Sequence, residues 1–222
     1  MTLSSALDGL RNGKFVVLFD SSKREGEADL LLAAQHATPG RIAAMRKHAG
    51  GLMCVAIGEQ AAEALELPFL EDVLSEAKSV NASIILRRAK YGDKSAFSLS
   101  VNHMDTFTGV TDADRALTMR EVARIASMAN GSRRAASLFA KVMKSPGHVQ
   151  LLRSRGIKNR HGHTELATAL AELAGIVPAV ALCEVLDPRS GRAMSLERSR
   201  ALSKALKAEF LEGKDVLAKV GE

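Results

Sequence analysis

The stretch FVVLFDSSKREGEADLLLA, residues 15–33, decides the fold. Its two ends, 15–19 and 29–33, are short runs rich in Val, Leu and Phe, bounded by polar residues. Runs of this length and composition read as strands. Between the apolar cores lie Asp20, Arg24, Glu25, Glu27 and Asp29. Alternate residues of an extended chain share a face, so an extended connection would bring Glu25, Glu27 and Asp29 together on one side. Carboxylates so placed repel one another unless a cation or a proton sits among them. A divalent metal answers that demand, and so does the neighbouring Arg24. A solvated turn is the plain alternative.

Working outward, residues 2–11 read as a short helix stopped by Asn12-Gly13. Thr38-Pro39 starts a second helix, with a capping hydroxyl and a proline at the first turn, ending near Gly50-Gly51. Residues 52–57 read as a strand carrying Cys54, and 60–67 as a short helix. The stretch up to Asp93 has no clear period. Residues 97–101 alternate as a strand does. Thr111 caps a long helix running to about Asn130, with Asp114 at the third position and Gly131 as its stop. Residues 149–152 form a short strand. A helix over 163–174 shows Leu166, Leu170 and Leu173 on one face and ends at Gly175 and Pro178. Residues 180–186 make a strand, and 195–210 a charged amphipathic helix. Helices and strands mix without strict alternation. The expected class is α+β: one domain over residues 1–222, with a mixed sheet covered by helices in three layers.

Composition sets the outer limits. At 222 residues the chain can bury a real core. Aromatics are only 4 %, so Leu, Ile, Val, Ala and Met must build it. No apolar run approaches the roughly 18 residues of a membrane span, and the first residues lack a signal-peptide layout. Cys54 and Cys183 each sit inside an apolar run, which fits buried thiols in a reducing compartment and places the protein in the cytoplasm. The formal charge of +6 attracts anions. The basic residues are scattered and few aromatics exist to stack on bases, so a small phosphorylated substrate suits the charge as well as nucleic acid does.

Other segments carry candidate chemistry. In RHGHTELATAL, residues 160–170, a helix starts at His163-Thr164 just after Gly162. Free N–H groups and the helix dipole favour an anion there, with Arg160 and Thr164 beside it. The histidines read equally as capping residues. His161 and His163 with Cys54 and Cys183 match no common structural zinc spacing. His148 precedes a strand in SPGHVQLLRS. Glu184 lies within the apolar strand ALCEVLDP, where a carboxylate needs a partner unless it faces outward. VNHMDTFTGVTDADRALT packs His103, Asp105 and several threonines into a strand-to-helix connection.

Five segments, FDSSKREGEADL, GGLMCVAI, SLSVNHMDTFTGVTDADRALTM, SPGHVQLLR and RHGHTELATALAELAGIVPAVALCEVLD, occur in this order over about residues 15–187. Together they resemble the 3,4-dihydroxy-2-butanone 4-phosphate synthase family of riboflavin biosynthesis. The REGE loop and the NHMDTFTG segment look closer to its archaeal-type members. The resemblance implies conversion of D-ribulose 5-phosphate to L-3,4-dihydroxy-2-butanone 4-phosphate and formate, with magnesium or manganese. It implies Glu25 and His163 as metal ligands, and Arg24, Glu25 and Asp29 as a substrate-contacting loop, with Glu27 a further acid or base. Thr108 matches a substrate-facing threonine. Arg160, His161, Gly162, His163 and Thr164 match the segment that holds substrate and phosphate. His148 and Glu184 match the proton-transferring pair, Glu184 also contacting substrate, and Cys54 matches an active-site cysteine. His161 and Met104 depart from residues usual in the family. The resemblance further implies a homodimer with active sites at the interface. The chain is expected to be monofunctional, without the cyclohydrolase domain fused to many bacterial homologues. Nucleic acid and membrane are not expected partners. The competing readings are a non-catalytic nucleotide- or RNA-binding protein of similar fold, and a sugar-phosphate isomerase that releases no formate.

Overall fold

The computed structural model describes residues 2–78, 81–85, 88–129 and 134–221. In chain order its elements are α1 (Leu3–Arg11), β1 (Val16–Phe19), β2 (Ala28–Ala33), α2 (Pro39–His48), β3 (Cys54–Ile57), α3 (Glu59–Ala64), α4 (Leu70–Glu76) and β4 (Phe97–His103). There follow α5 (Asp112–Ala126), α6 (Arg134–Val142), β5 (Met143–Arg153), α7 (His163–Leu173), β6 (Ala179–Glu184), β7 (Leu186–Asp187), β8 (Arg192–Ala193), α8 (Leu196–Ala205), β9 (Glu209–Glu212) and α9 (Gly213–Val220). The main sheet has seven strands in the order β4-β5-β3-β6-β2-β1-β9. Its β3–β5 and β1–β9 pairs are parallel and the rest antiparallel, so the sheet is mixed as expected.

Alternation along the strands sorts the core into two layers of side chains. Val16, Leu18, Leu31, Cys54, Ala56, Val180 and Leu182 face one way and pack under α1, α7 and α9 through Leu10, Leu166, Leu170 and Val216. Val17, Leu30, Leu32, Val55 and Ile57 face the other way, toward α2 and α5, through Ile42, Met45, Met119 and Val122. The result is helix, sheet, helix. Central strands buried on both faces need a continuous apolar run, which is why β1, β2, β3 and β6 stand out in the sequence.

Several boundaries differ from the sequence reading. The expected C-terminal helix over 195–210 stops at Ala205, where Leu206 is the C-cap and Lys207 turns to φ +52°. Residues 209–212 instead pair with β1 as a parallel edge strand. The strand expected over 149–152 extends to Met143–Arg153, because β4 offers a partner along that length, with irregular register. α4, α6 and α9 were not expected. The helix expected to run to Asn130 ends at Ala126, with Ser127 as its cap; Asn130 and Gly131 lie outside the described residues.

Candidate active site

The acidic connection is a turn, not an extended strand. Ser21 O accepts the N–H groups of Arg24 (2.9 Å) and Gly26 (3.0 Å), and Gly26 sits at φ +68°. Asp20 is its hub: Oδ2 accepts Glu25 N (3.0 Å) and Oδ1 accepts Glu27 N (3.1 Å). The expected convergence of Glu25, Glu27 and Asp29 nonetheless occurs, because the turn folds back over the start of β2. All three line one cavity of about 440 Å³.

Register supplies the next wall. Asp29 of β2 lies directly opposite Glu184 of β6, and both belong to the series facing α7. The first residue of α7, His163, comes down onto them. Its Nδ1 is 3.2 Å from Glu25 Oε2 and its Nε2 is 3.7 Å from Asp29 Oδ1. Burial disfavours a charged His163 ring, but Asp29, Glu25 and Asp20 outweigh that and hold it above its ordinary value. Burial likewise opposes ionisation of Glu25, yet His163, Arg24 and Tyr91 bring it down to about 2. Asp29 is fully buried, and burial together with Glu184, Glu25 and Glu27 raises it to about 7 despite His163.

Glu184 is clamped. Its Oε2 accepts the N–H of Leu52 at 2.7 Å. A Cβ on Gly51 would stand 2.3 Å from that same oxygen, so only glycine lets the GG pair approach. Gly162 has an equivalent task. A Cβ there would lie 2.2 Å from Arg160 Nη1 and 2.7 Å from Arg24 Nη2. Gly162 is also the N-cap of α7, and no side chain among the described residues caps the helix's first amides, which can therefore face an anion. Arg160 and Thr164 line the cavity beside them. Arg160 is held from behind by the fully buried Glu165, whose other oxygen accepts Arg155 N.

The structure thus brings together Glu25, Glu27, Asp29, Arg160, His163, Thr164 and Glu184 on one cavity, with Arg24 paired to Glu25 at 3.0 Å. It does not bring all the expected residues there. His161 is exposed and lines a separate cavity of about 560 Å³ with Lys23 and Lys214. Cys54 is buried under α7, behind the cavity wall and beside Leu182, and burial together with Glu184 and Asp29 raises its thiol well above the ordinary value. His148 is exposed on β5 and contacts Asn102 at 3.1 Å through Nδ1. Thr108 sits in an exposed loop whose N–H groups are gathered by Asp114. Asp20, Tyr91, Asp93 and Glu165 are the residues that the sequence reading left without a role.

A divalent cation fits this donor set. The oxygens of Asp20 and Glu25 and a ring nitrogen of His163 lie within 4.8 Å of one another. Neighbouring ligands of an octahedral ion with bonds near 2.1 Å stand about 3.0 Å apart, and Glu25 Oε2 and His163 Nδ1 are 3.2 Å apart. Asp20 already spends its oxygens on the turn, so Glu25 and His163 would hold the ion. His163 Nε2 and Asp29 Oδ1, both buried and without a hydrogen-bond partner among the described residues, face each other at 3.7 Å as a ligand histidine and its orienting carboxylate do. Oxygen ligands with one imidazole suit magnesium or manganese.

The donor set and the neighbouring arginines fit an enzyme that would hold a divalent cation and act on a small anionic substrate. The comparisons agree and are more specific. The family model for 3,4-dihydroxy-2-butanone 4-phosphate synthase matches residues 4–219. The Methanosarcina acetivorans 3,4-dihydroxy-2-butanone 4-phosphate synthase is 42% identical over 97% of this chain and 89% of its own length. The Archaeoglobus fulgidus enzyme is 40% identical over 98% and 93%. The solved structure of the Candida albicans enzyme superposes with a TM-score of 0.77 at 26% identity, over 100% and 98% of the two chains. A 3,4-dihydroxy-2-butanone 4-phosphate synthase structure in complex with two magnesium ions superposes at 0.75 with 28% identity, over 99% and 96%. The chain belongs to the 3,4-dihydroxy-2-butanone 4-phosphate synthase family, and its likeness to archaeal members matches the REGE and NHMDTFTG segments. It is an enzyme of riboflavin biosynthesis.

Proposed function

We propose that the chain, as one domain over residues 1–222, converts D-ribulose 5-phosphate to L-3,4-dihydroxy-2-butanone 4-phosphate and formate. The observation that carries this reading is one cavity lined both by Arg160 and Thr164, which can seat an anion, and by the carboxylates clustered around His163. Arg160, Thr164 and the free amides of α7 bind the phosphate on C5. Glu25 and His163 hold magnesium or manganese; when bound, the ion supplies positive charge that stabilises the oxyanion developing beside the ketone. Glu184 and Glu27, on the cavity wall, move protons for enolisation, loss of water and the skeletal shift, which need more than one acid or base. Asp29 keeps the His163 ring oriented. In the family's mechanism C4 leaves as formate, and C5 with its phosphate is joined to C3. Substrate carrying carbon-13 at C4 is therefore expected to give labelled formate, while label at C1 stays in the butanone as its methyl group. Formate carrying the C1 label overturns the mechanism. Xylulose or ribose 5-phosphate without formate supports the isomerase reading instead.

The homodimer belongs to the same proposal. Phe107 is 96% exposed at the tip of the loop that carries Thr108, flanked by Met104 and Val110, each about half exposed. Asp114 fixes this loop by accepting from Phe107, Thr108 and Gly109. An ordered loop that presents a phenylalanine to water is built to be covered. His148 adjoins it through Asn102, against which Gly109 packs too closely to admit a Cβ (2.1 Å). A second copy seated on this face brings Thr108 and His148 to a cavity that neither residue lines in the single chain. Phe107→Glu is expected to yield a monomer by sedimentation, with turnover lower by more than about 100-fold, since truncating a buried interface anchor costs several kcal/mol. A dimeric, fully active variant would remove this interface from the proposal.

No helix among the described residues is long and apolar enough to cross a membrane. Both cysteines are free and buried, which supports a reducing, cytoplasmic setting. Many arginines, among them Arg46, Arg115 and Arg198, are engaged by carboxylates, which favours the sugar-phosphate reading over a nucleic-acid surface.

A further inference from the structure

Two side chains from the connection before β4 reach into the anion seat. Asp93 Oδ2 accepts from Arg24 Nε at 2.9 Å and Nη2 at 2.8 Å. The same oxygen lies 3.5 Å from Arg160 Nε. Two residues earlier in the chain, the Tyr91 hydroxyl donates to Glu25 Oε1 at 2.8 Å, and its ring lies 4.8 Å from the Arg24 guanidinium. One short segment therefore touches both arginines and the metal-binding carboxylate.

The fit to Arg160 is poor. Arg160 Nε is buried and has no hydrogen-bond partner among the described residues; the Asp93 oxygen beside it already serves Arg24. Phosphate carries three free oxygens and more charge. It can accept from Arg24, Arg160 and the amides of α7 together, and so it outcompetes Asp93 where a neutral hydroxyl cannot.

We propose that Asp93 is an internal stand-in for the substrate's phosphate: it occupies the Arg24–Arg160 seat until phosphate evicts it, and its departure takes Tyr91 off Glu25. This inference rests on the reading of Arg160 as a phosphate ligand. Its consequence is selection. A sugar without phosphate leaves Asp93 seated and Glu25 Oε1 covered, so the site assembles fully only for the phosphorylated ketose. Occupying the seat internally costs apparent affinity, in inverse proportion to the fraction of molecules in which the seat is free.

The chain has a single tyrosine and no tryptophan, so its intrinsic emission reports on Tyr91 alone. A phenol hydrogen-bonded to a carboxylate is quenched by excited-state proton transfer. Inorganic phosphate titrated into the metal-free full chain is expected to raise that emission. Asp93→Asn should start with higher emission and bind phosphate about 3- to 10-fold more tightly by calorimetry, as a competitor present in most molecules is removed. Arg160→Ala should lose phosphate binding. If Arg160→Ala binds as wild type does, the phosphate reading falls and this proposal falls with it. If Arg160→Ala is weakened but Asp93→Asn is unchanged or weaker, the proposal alone is wrong. Emission that stays constant to phosphate saturation also overturns it.

Discussion

Glu25→Gln and His163→Asn are each expected to abolish turnover and to weaken magnesium binding by more than about 100-fold, since even residues behind a metal ligand cost 10- to 100-fold when changed. The geometry gives the reason. Glu25 Oε2 and His163 Nδ1 stand 3.2 Å apart, near the spacing of adjacent ligands on one ion. Gln retains an oxygen there but not its charge. Asn retains a polar group but not the reach of the ring. Neither substitution disturbs the turn, because Asp20 accepts the main-chain N–H of Glu25 and not its side chain. The fold should therefore persist, with the thermal midpoint lowered by loss of the buried His163–Glu25 pair. Excess magnesium should restore part of the Glu25→Gln activity by mass action. Chelation of the wild type should mimic both variants and be reversed by magnesium or manganese. Full activity in excess chelator, or undiminished magnesium binding by both variants, would show that this pair does not hold the ion.

The central strands were legible because burial on both faces leaves no choice of composition: residues 16–19, 30–33 and 54–57 are almost unbroken apolar runs. The edges were not. EFLE at 209–212 has only two apolar residues and follows a helical pattern, and it becomes a strand only because β1 has a free edge beside it. Such tertiary rescue overrides local propensity. The same division runs through the site. Glu25, Asp29, His163 and Glu184 stood out by residue type and place, though a solvated turn, a helix cap or an outward-facing strand position would also accommodate them, and family resemblance gave them their roles. Asp20 looked like one more acid of the loop, although its main-chain acceptances shape the turn. Glu165 resembled an ordinary acidic residue of a helix's first turn, yet it is fully buried and supports Arg160. Asp93 and Tyr91 lie in the stretch without period, where no pattern could say which way they point. His148 and the threonine-rich connection holding Thr108 stood out locally, but their roles came from family resemblance, and neither lines the cavity in the single chain.

Glu184→Gln is expected to lower kcat by about 10²- to 10⁴-fold, the usual worth of a positioned acid or base, with little change in KM. Glutamine has the size of glutamate and keeps an oxygen to accept the Leu52 N–H, now held by Glu184 Oε2 at 2.7 Å. The strand pairing of Asp29 with residue 184 is main-chain and survives. What disappears is the ability to take up and return a proton at that point of the cavity wall. Magnesium and phosphate binding, assigned to Glu25, His163 and Arg160, should remain, and this separates the variant from those of the metal pair. Gly51→Ala provides a second view of the same group. It leaves the carboxylate in place chemically but drives a methyl group toward an oxygen 2.3 Å away, so the carboxylate must shift and kcat should fall with it. If Glu184→Gln turns over normally while Gly51→Ala does not, Glu184 merely braces the Gly50-Gly51 turn. The proton transfers would then fall to Glu27, which burial and the neighbouring Glu25 hold above its ordinary value.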